Sequence, residues 1–134
     1  MDLGLKDKVA LVTGASRGIG KRIAVALAAE GAKLCICGRT EETLQEAVAE
    51  IEALGAAAEA VVQDVTIREG AEAVVAAARE RFDGVDIVVN NVGGSKWTPF
   101  VEIDDSEWDE IINLSFLSAV RVTRAAIPSM EERG

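Results

Sequence analysis

Apolar and polar positions alternate along the chain in a repeating order of short apolar runs and helical stripes. Lys8–Thr13 is an apolar run of the kind expected for a buried strand, built around Val9, Ala10, Leu11 and Val12. Ile19, Ile23, Ala26 and Leu27 then recur at helical spacing, and Gly31 supplies the stop. Lys33–Cys37 predicts a second strand. A helix follows from Thr40, with Glu41 and Glu42 in its first turn, where acids suit the positive end of the dipole. Its stripe is Leu44, Ala47, Val48 and Ile51, and Gly55 ends it. Ala58–Gln63 predicts a third strand, and Thr66-Ile67-Arg68-Glu69 reads as a capping box opening a helix to about Phe82. Val85–Asn90 predicts a fourth strand. Asp104 or Asp105 opens a last long helix running to about Met130, with Pro128 expected to bend or loosen its end.

The order βαβαβαβα implies a doubly wound parallel α/β sheet with right-handed crossovers and helices on both faces. The expected strand order is 3-2-1-4, which leaves the bulky apolar run Val85–Asn90 at an edge. The chain, residues 1–134, is read as a single domain, and the exposed edge as a sign that it is incomplete or pairs with a second copy.

Composition narrows the classes. The five aromatics are Phe82, Phe100, Phe116, Trp97 and Trp108, so the core must be mostly Val, Ile, Leu and Ala. A net charge of -9 disfavours a nucleic-acid partner, which needs clustered Lys and Arg. No apolar run approaches the ~18 residues that would span a bilayer, and the first residues lack the apolar core of a secretory signal. Cys35 and Cys37 share one face of a strand and, with no histidine in the chain, complete no metal site. They are read as buried free thiols in a cytoplasmic protein.

The chemistry is concentrated in Thr13-Gly14-Ala15-Ser16-Arg17-Gly18-Ile19-Gly20, between the first strand and the first helix. Strand, glycine-rich turn and helix together hold a dinucleotide pyrophosphate. The glycines allow close backbone approach, and the helix start offers unpaired N–H groups and partial positive charge. Gln63-Asp64-Val65 follows the third strand and Asn90-Asn91-Val92-Gly93 the fourth. All three segments sit at the C-terminal ends of predicted strands, where open α/β sheets bind ligands.

In these three motifs and their order, almost the whole chain resembles the short-chain dehydrogenase/reductase family. The one departure is Val92, where alanine is usual. The resemblance implies a Rossmann-type fold whose later strands are missing here. It implies that Gly14, Ala15, Ser16, Arg17, Gly18, Ile19 and Gly20 bind the cofactor. Asp64, with Val65, approaches the adenine, and Asn90, Asn91 and Gly93 shape the groove and brace the sheet.

An acid at the end of strand two, about 20 residues beyond the glycines, would bind the ribose hydroxyls of NAD. Gly38 stands there, followed by Arg39, whose guanidinium suits a 2′-phosphate, so NADP(H) is favoured over NAD(H).

The family reaction is hydride transfer between nicotinamide and a carbonyl or alcohol carbon. It uses a Tyr, a Lys four residues later and a Ser, all beyond this segment, and the chain contains no Tyr. No catalytic set is therefore complete, and these residues alone are expected to be inactive. Counting from Trp108 and from Val120–Ala126 places Ser115 at the position of the family's helix Asn. Asn113, roughly 200° around an α-helix from that position, serves only if the helix bulges. Lys96, Trp97 and Phe100 lie where family members begin to line the substrate pocket. Relatives often assemble through their long helices, so a homo-oligomer is expected. A nucleotide-binding protein without catalysis is the alternative function. A non-binding remnant that dimerises fits the intact motifs less well.

Overall fold

The computed structural model describes residues 1–134. The strands are β1 (Val9–Val12), β2 (Lys33–Gly38), β3 (Ala58–Val62) and β4 (Ile87–Val89). The helices are α1 (Gly18–Ala29), α2 (Glu41–Ala53), α3 (Arg68–Phe82), α4 (Asp105–Ile112) and α5 (Ser118–Arg133), with a π turn over Asn113–Leu117 between the last two. The strands form one parallel sheet in the order β3-β2-β1-β4. This is a Rossmann-like α/β arrangement.

Side-chain alternation along the central strands sorts the core into two layers. Ala10, Val12, Leu34 and Ile36 face α1 and α2, where Ala24, Ala28, Leu44, Ala47 and Ile51 meet them. Leu11, Cys35 and Cys37 face the other side, against Val74, Val75 and Ala78 of α3 and Val122 and Ala126 of α5. Small residues on the helices let the backbones approach the sheet closely. Large fully buried side chains such as Leu34 and Ile36 contribute about 1.5–3 kcal/mol each. β4 pairs with β1 through three residues, all only half-buried, and its other edge has no neighbour.

Three elements depart from the sequence reading. Thr66 does not cap α3. The residue at the cap position is Ile67, without a side-chain bond, because the Thr66 hydroxyl is taken by Asp64. The last helix is not continuous: Asp104 caps α4 by accepting from the Glu107 N–H at 2.8 Å, and the π turn then separates α4 from α5. Pro128 does not end α5, which runs on to Arg133. Pro128 and Arg124, four residues earlier, are both exposed, so the backbone bond that proline cannot make falls on the solvent side.

Candidate functional site

The C-terminal ends of the four strands surround a cavity of about 390 Å³. Of the residues singled out in the sequence, Gly14, Ser16, Arg17, Gly18, Ile19, Arg39, Asp64, Val65, Asn91 and Gly93 line it. Three others stand behind the wall. Ala15 is buried, and its N–H bonds to the Cys37 carbonyl at 3.0 Å, tying the glycine turn to the end of β2. Gly20 is buried at the base of α1. Asn90 turns away, its amide donating to the Thr123 hydroxyl of α5 at 3.0 Å.

The turn is built around close approach. Gly14 and Gly18 both have φ +60, a conformation that other residues adopt only with strain. A Cβ on Gly20 would collide with the Gly14 carbonyl oxygen and lie 2.5 Å from the Asn91 amide nitrogen. That same amide donates to the Gly14 carbonyl at 3.1 Å, and the Asn91 N–H donates to the Thr13 hydroxyl at 3.0 Å. Thr13 and Asn91 thus lock the end of β4 onto the turn after β1.

The start of α1 differs from the starts of α2, α3 and α4. It has no acidic residue in its first turn and no capping side chain. α2 carries Glu41 and Glu42, α3 carries Glu69, and α4 has the Asp104 cap with Asp105 and Glu107. The N–H groups at the start of α1 are therefore left to face the cavity with their positive dipole uncompensated.

Asp64 is exposed on the cavity rim after β3. One oxygen, Oδ1, accepts the Thr66 hydroxyl at 2.6 Å and the Thr66 N–H at 2.9 Å. These two bonds, the hydroxyl first, hold its carboxyl below the ordinary value. Slight burial opposes them, and the positive charge of Arg39 adds to them. Cys37 also lines the cavity, but burial raises its thiol to about 11, against which the Gly14 N–H acts only weakly. Cys35, deeper in the sheet, is raised to about 12 by burial and by the neighbouring Cys37.

The π turn settles how its two polar residues face. The Ser115 hydroxyl accepts from the Gly94 N–H and donates to the Gly94 carbonyl, both at 3.2 Å, so it meets the loop after β4. Asn113 points elsewhere and accepts from Arg121 at 2.7 Å. The helix bulges here, yet the bulge does not bring Asn113 to the cavity.

Cys37, Thr66 and Leu114 line the cavity as well. Sequence reasoning gave none of them a site role. Leu114 follows from the π turn, which periodicity does not show. Trp97, Phe100 and Val101 are exposed, and Phe100 meets Trp108 edge-on at 5.8 Å. No helix is long and apolar enough to cross a membrane.

Residues 8–134 match the family model described as short chain dehydrogenase. The chain is 40% identical over 126 residues to 1,6-dihydroxycyclohexa-2,4-diene-1-carboxylate dehydrogenase of Acinetobacter baylyi, covering 93% of this chain and 48% of that protein. It superposes on L-sorbose reductase from Gluconobacter frateurii, solved with NADPH and L-sorbose, with a TM-score of 0.95 at 39% identity, covering 100% of this chain and 51% of that one. An NADH-dependent reductase solved with NAD gives a TM-score of 0.91 at 30% identity, over 99% of this chain and 56% of its own. The chain therefore spans about half the length of these relatives.

Proposed function

The chain belongs to the short chain dehydrogenase family, and on that premise we propose that it binds a nicotinamide dinucleotide, NADP(H) in preference to NAD(H). It would serve as the cofactor-binding half of an oxidoreductase acting on a carbonyl or alcohol carbon. The observation that carries this reading is the cavity itself, where a glycine turn and an acid-free helix start meet Arg39 at the end of β2. The residues present fit the group. Gly18 leaves open space where a side chain would stand, suiting a pyrophosphate laid against the N–H groups of α1.

When bound, the nicotinamide supplies or takes up a hydride. The chain's own residues bind and orient. Gly14, Ser16, Arg17, Gly18 and Ile19 hold the phosphates and the adjoining sugar, with Ala15 and Gly20 shaping the turn from behind. Asp64 and Val65 meet the adenine. Asn91 and Gly93 form the far wall, and Asn90 braces β4 against α5.

Cofactor choice rests on Arg39. Relatives with NADPH and with NAD are both known, so the family does not decide it. Gly38 leaves no carboxylate to grip ribose hydroxyls or to repel a 2′-phosphate, and Arg39 can pair with that phosphate. Arg39→Asp should reverse the NADPH/NADH affinity ratio, measured by fluorescence titration of the chain. An unchanged ratio would overturn the assignment.

A second reading, a nucleotide-binding protein without chemistry, is favoured by one observation. The Ser115 hydroxyl, at the position of the family's helix Asn, is engaged both ways by Gly94. NADPH-dependent carbonyl reduction is expected to be absent from these 134 residues alone, and measured turnover would refute that. The stripe Ile112, Phe116, Val120 and Ile127 is exposed along α4, the π turn and α5, which supports assembly of like copies. Two buried unpaired thiols suit a reducing cytoplasm.

A further inference from the structure

Gly38 ends β2 in strand conformation and without a positive φ, so its backbone does not call for glycine. What excludes a side chain there is space. A Cβ on Gly38 would lie 3.2 Å from the Ser16 Cβ, 3.3 Å from the Ser16 Oγ and 3.4 Å from Cδ2 of Leu44. None of these neighbours yields easily. The Ser16 Cβ is bonded directly to the backbone of the glycine turn, and the Ala15 N–H ties that turn to the Cys37 carbonyl at 3.0 Å. Leu44 of α2 is fully buried in the core. Gly38 is itself held to the end of β3, its carbonyl accepting from the Gln63 N–H at 3.0 Å. Gly38 and Ser16 both line the cavity.

We propose that Ser16 is a specificity-determining residue that keeps an acid out of position 38. A carboxylate at the end of β2 binds ribose hydroxyls and repels a 2′-phosphate. Here the Ser16 side chain crowds the place that the Cβ of such a residue needs. The preference for NADP(H) then has two parts: Arg39 attracts the 2′-phosphate, and Ser16 shuts out the residue that favours NAD(H). This role rests on the nucleotide reading above and adds to it a coupling between the glycine turn and the end of β2. Aspartate at position 38 confers NADH binding only when position 16 gives way. Overpacking at such a contact corresponds to about tenfold in an equilibrium constant.

The test is a pair of double-mutant cycles on the intact chain. In the first, urea unfolding compares Gly38→Ala with and without Ser16→Gly. The loss in folding equilibrium constant should be about tenfold larger beside Ser16 than beside glycine. The stiffening of the unfolded chain by alanine is common to both and cancels. An equal loss in the two backgrounds overturns the role, since the crowding then comes from elsewhere. In the second, fluorescence titration with NADH and with NADPH compares Gly38→Asp with and without Ser16→Gly. The double variant should favour NADH over NADPH about tenfold more than Gly38→Asp alone. Ser16→Ala, which keeps the Cβ, should recover only part of that difference. Equal ratios in the single and the double variant mean that Ser16 does not govern position 38, while the nucleotide reading stands. If the unaltered chain binds neither nucleotide, the nucleotide reading itself fails and this role with it. Should Gly38→Asp not fold by circular dichroism while the double variant folds, the exclusion is seen directly. Should neither fold, the alanine cycle decides, an equal loss again overturning the role.

Discussion

The two ends of the sheet use their polar groups in opposite ways. At the N-terminal end, the groups that meet α5 are spent on the fold. The Asp86 carboxylate accepts two bonds from the Arg133 guanidinium, both at 2.9 Å, and one from the Val9 N–H at 2.8 Å. The Ser129 hydroxyl accepts from the Val85 N–H at 3.0 Å. The last turn of α5 is thereby pinned to the starts of β1 and β4. At the C-terminal end, polar groups are held in place yet left unfinished. Arg17 and Arg39 have no carboxylate within ion-pair distance, Asp64 keeps one free oxygen, and α1 begins without a cap. One end is closed chemistry and the other is open, although the same strands supply both. The lesson is that burial alone does not mark a site. Asp86 is the more buried and more heavily bonded acid, and its surroundings are complete without a ligand.

That contrast can be broken most severely at the open end. Gly20→Val should cost about 3 kcal/mol by overpacking, because its side chain drives into the Gly14 carbonyl and the Asn91 amide. Urea unfolding should show the loss, and nucleotide titration should show binding abolished. A folded variant with normal affinity would mean the turn relaxes freely and is no rigid cradle.

The closed end should answer with stability and nothing else. Asp86→Asn should lose about 2 kcal/mol, since a bidentate charged pair becomes a weaker neutral one. Nucleotide affinity should stay as it is. The Arg133 guanidinium holds the Asp86 carboxyl below its ordinary value, slight burial opposing and the Val9 N–H and Lys8 assisting. A depressed folded value means the stabilisation is present above the unfolded carboxylate pKa of about 4 and fades as pH falls through the lower folded value. Acid titration of stability should therefore be shallower below about pH 4 in Asp86→Asn than in the unaltered chain. Equal steepness would show that other carboxylates carry the acid transition.

The smallest effect compares two thiols on one strand. Cys37 at about 11 and Cys35 at about 12 should both resist alkylation at pH 8 while the chain is folded. Their thiolate fractions differ about tenfold, so mass spectrometry should find Cys37 labelled first and Cys35 only on unfolding. Equal rates would mean both react through global opening.

Much of this arrangement is legible in the sequence. The apolar runs Val9–Val12 and Lys33–Cys37 and the stripes of α1 and α2 are legible because a single pattern dominates each segment. The glycine turn was legible because its residue types answer a steric demand that a motif can state. What periodicity could not show were features set by competition for one partner. Thr66 looked like a helix cap, and only the position of Asp64 shows that its hydroxyl is better used there. Asn90 and Asn91 are neighbours of identical type, and only the end of β4 decides that one faces Gly14 and the other Thr123. The break between α4 and α5 is hidden because no glycine or proline marks it anywhere from Ile111 to Val122.

That break has a consequence for insertions and deletions. A π turn carries one residue more than an α turn, and each residue advances a helix by about 100°. Everything after Leu117 is thus phased by that extra residue, from Val122 and Ala126 against the sheet to Ser129 and Arg133 at its far end. Ser118 sits at the junction with its hydroxyl bonded back to the Leu114 carbonyl at 2.6 Å. Deleting a single residue within Asn113–Leu117 would leave a more regular helix. It would also turn Arg133 away from Asp86 and Ser129 away from Val85, so α5 would be regular in itself and out of step with the sheet it covers.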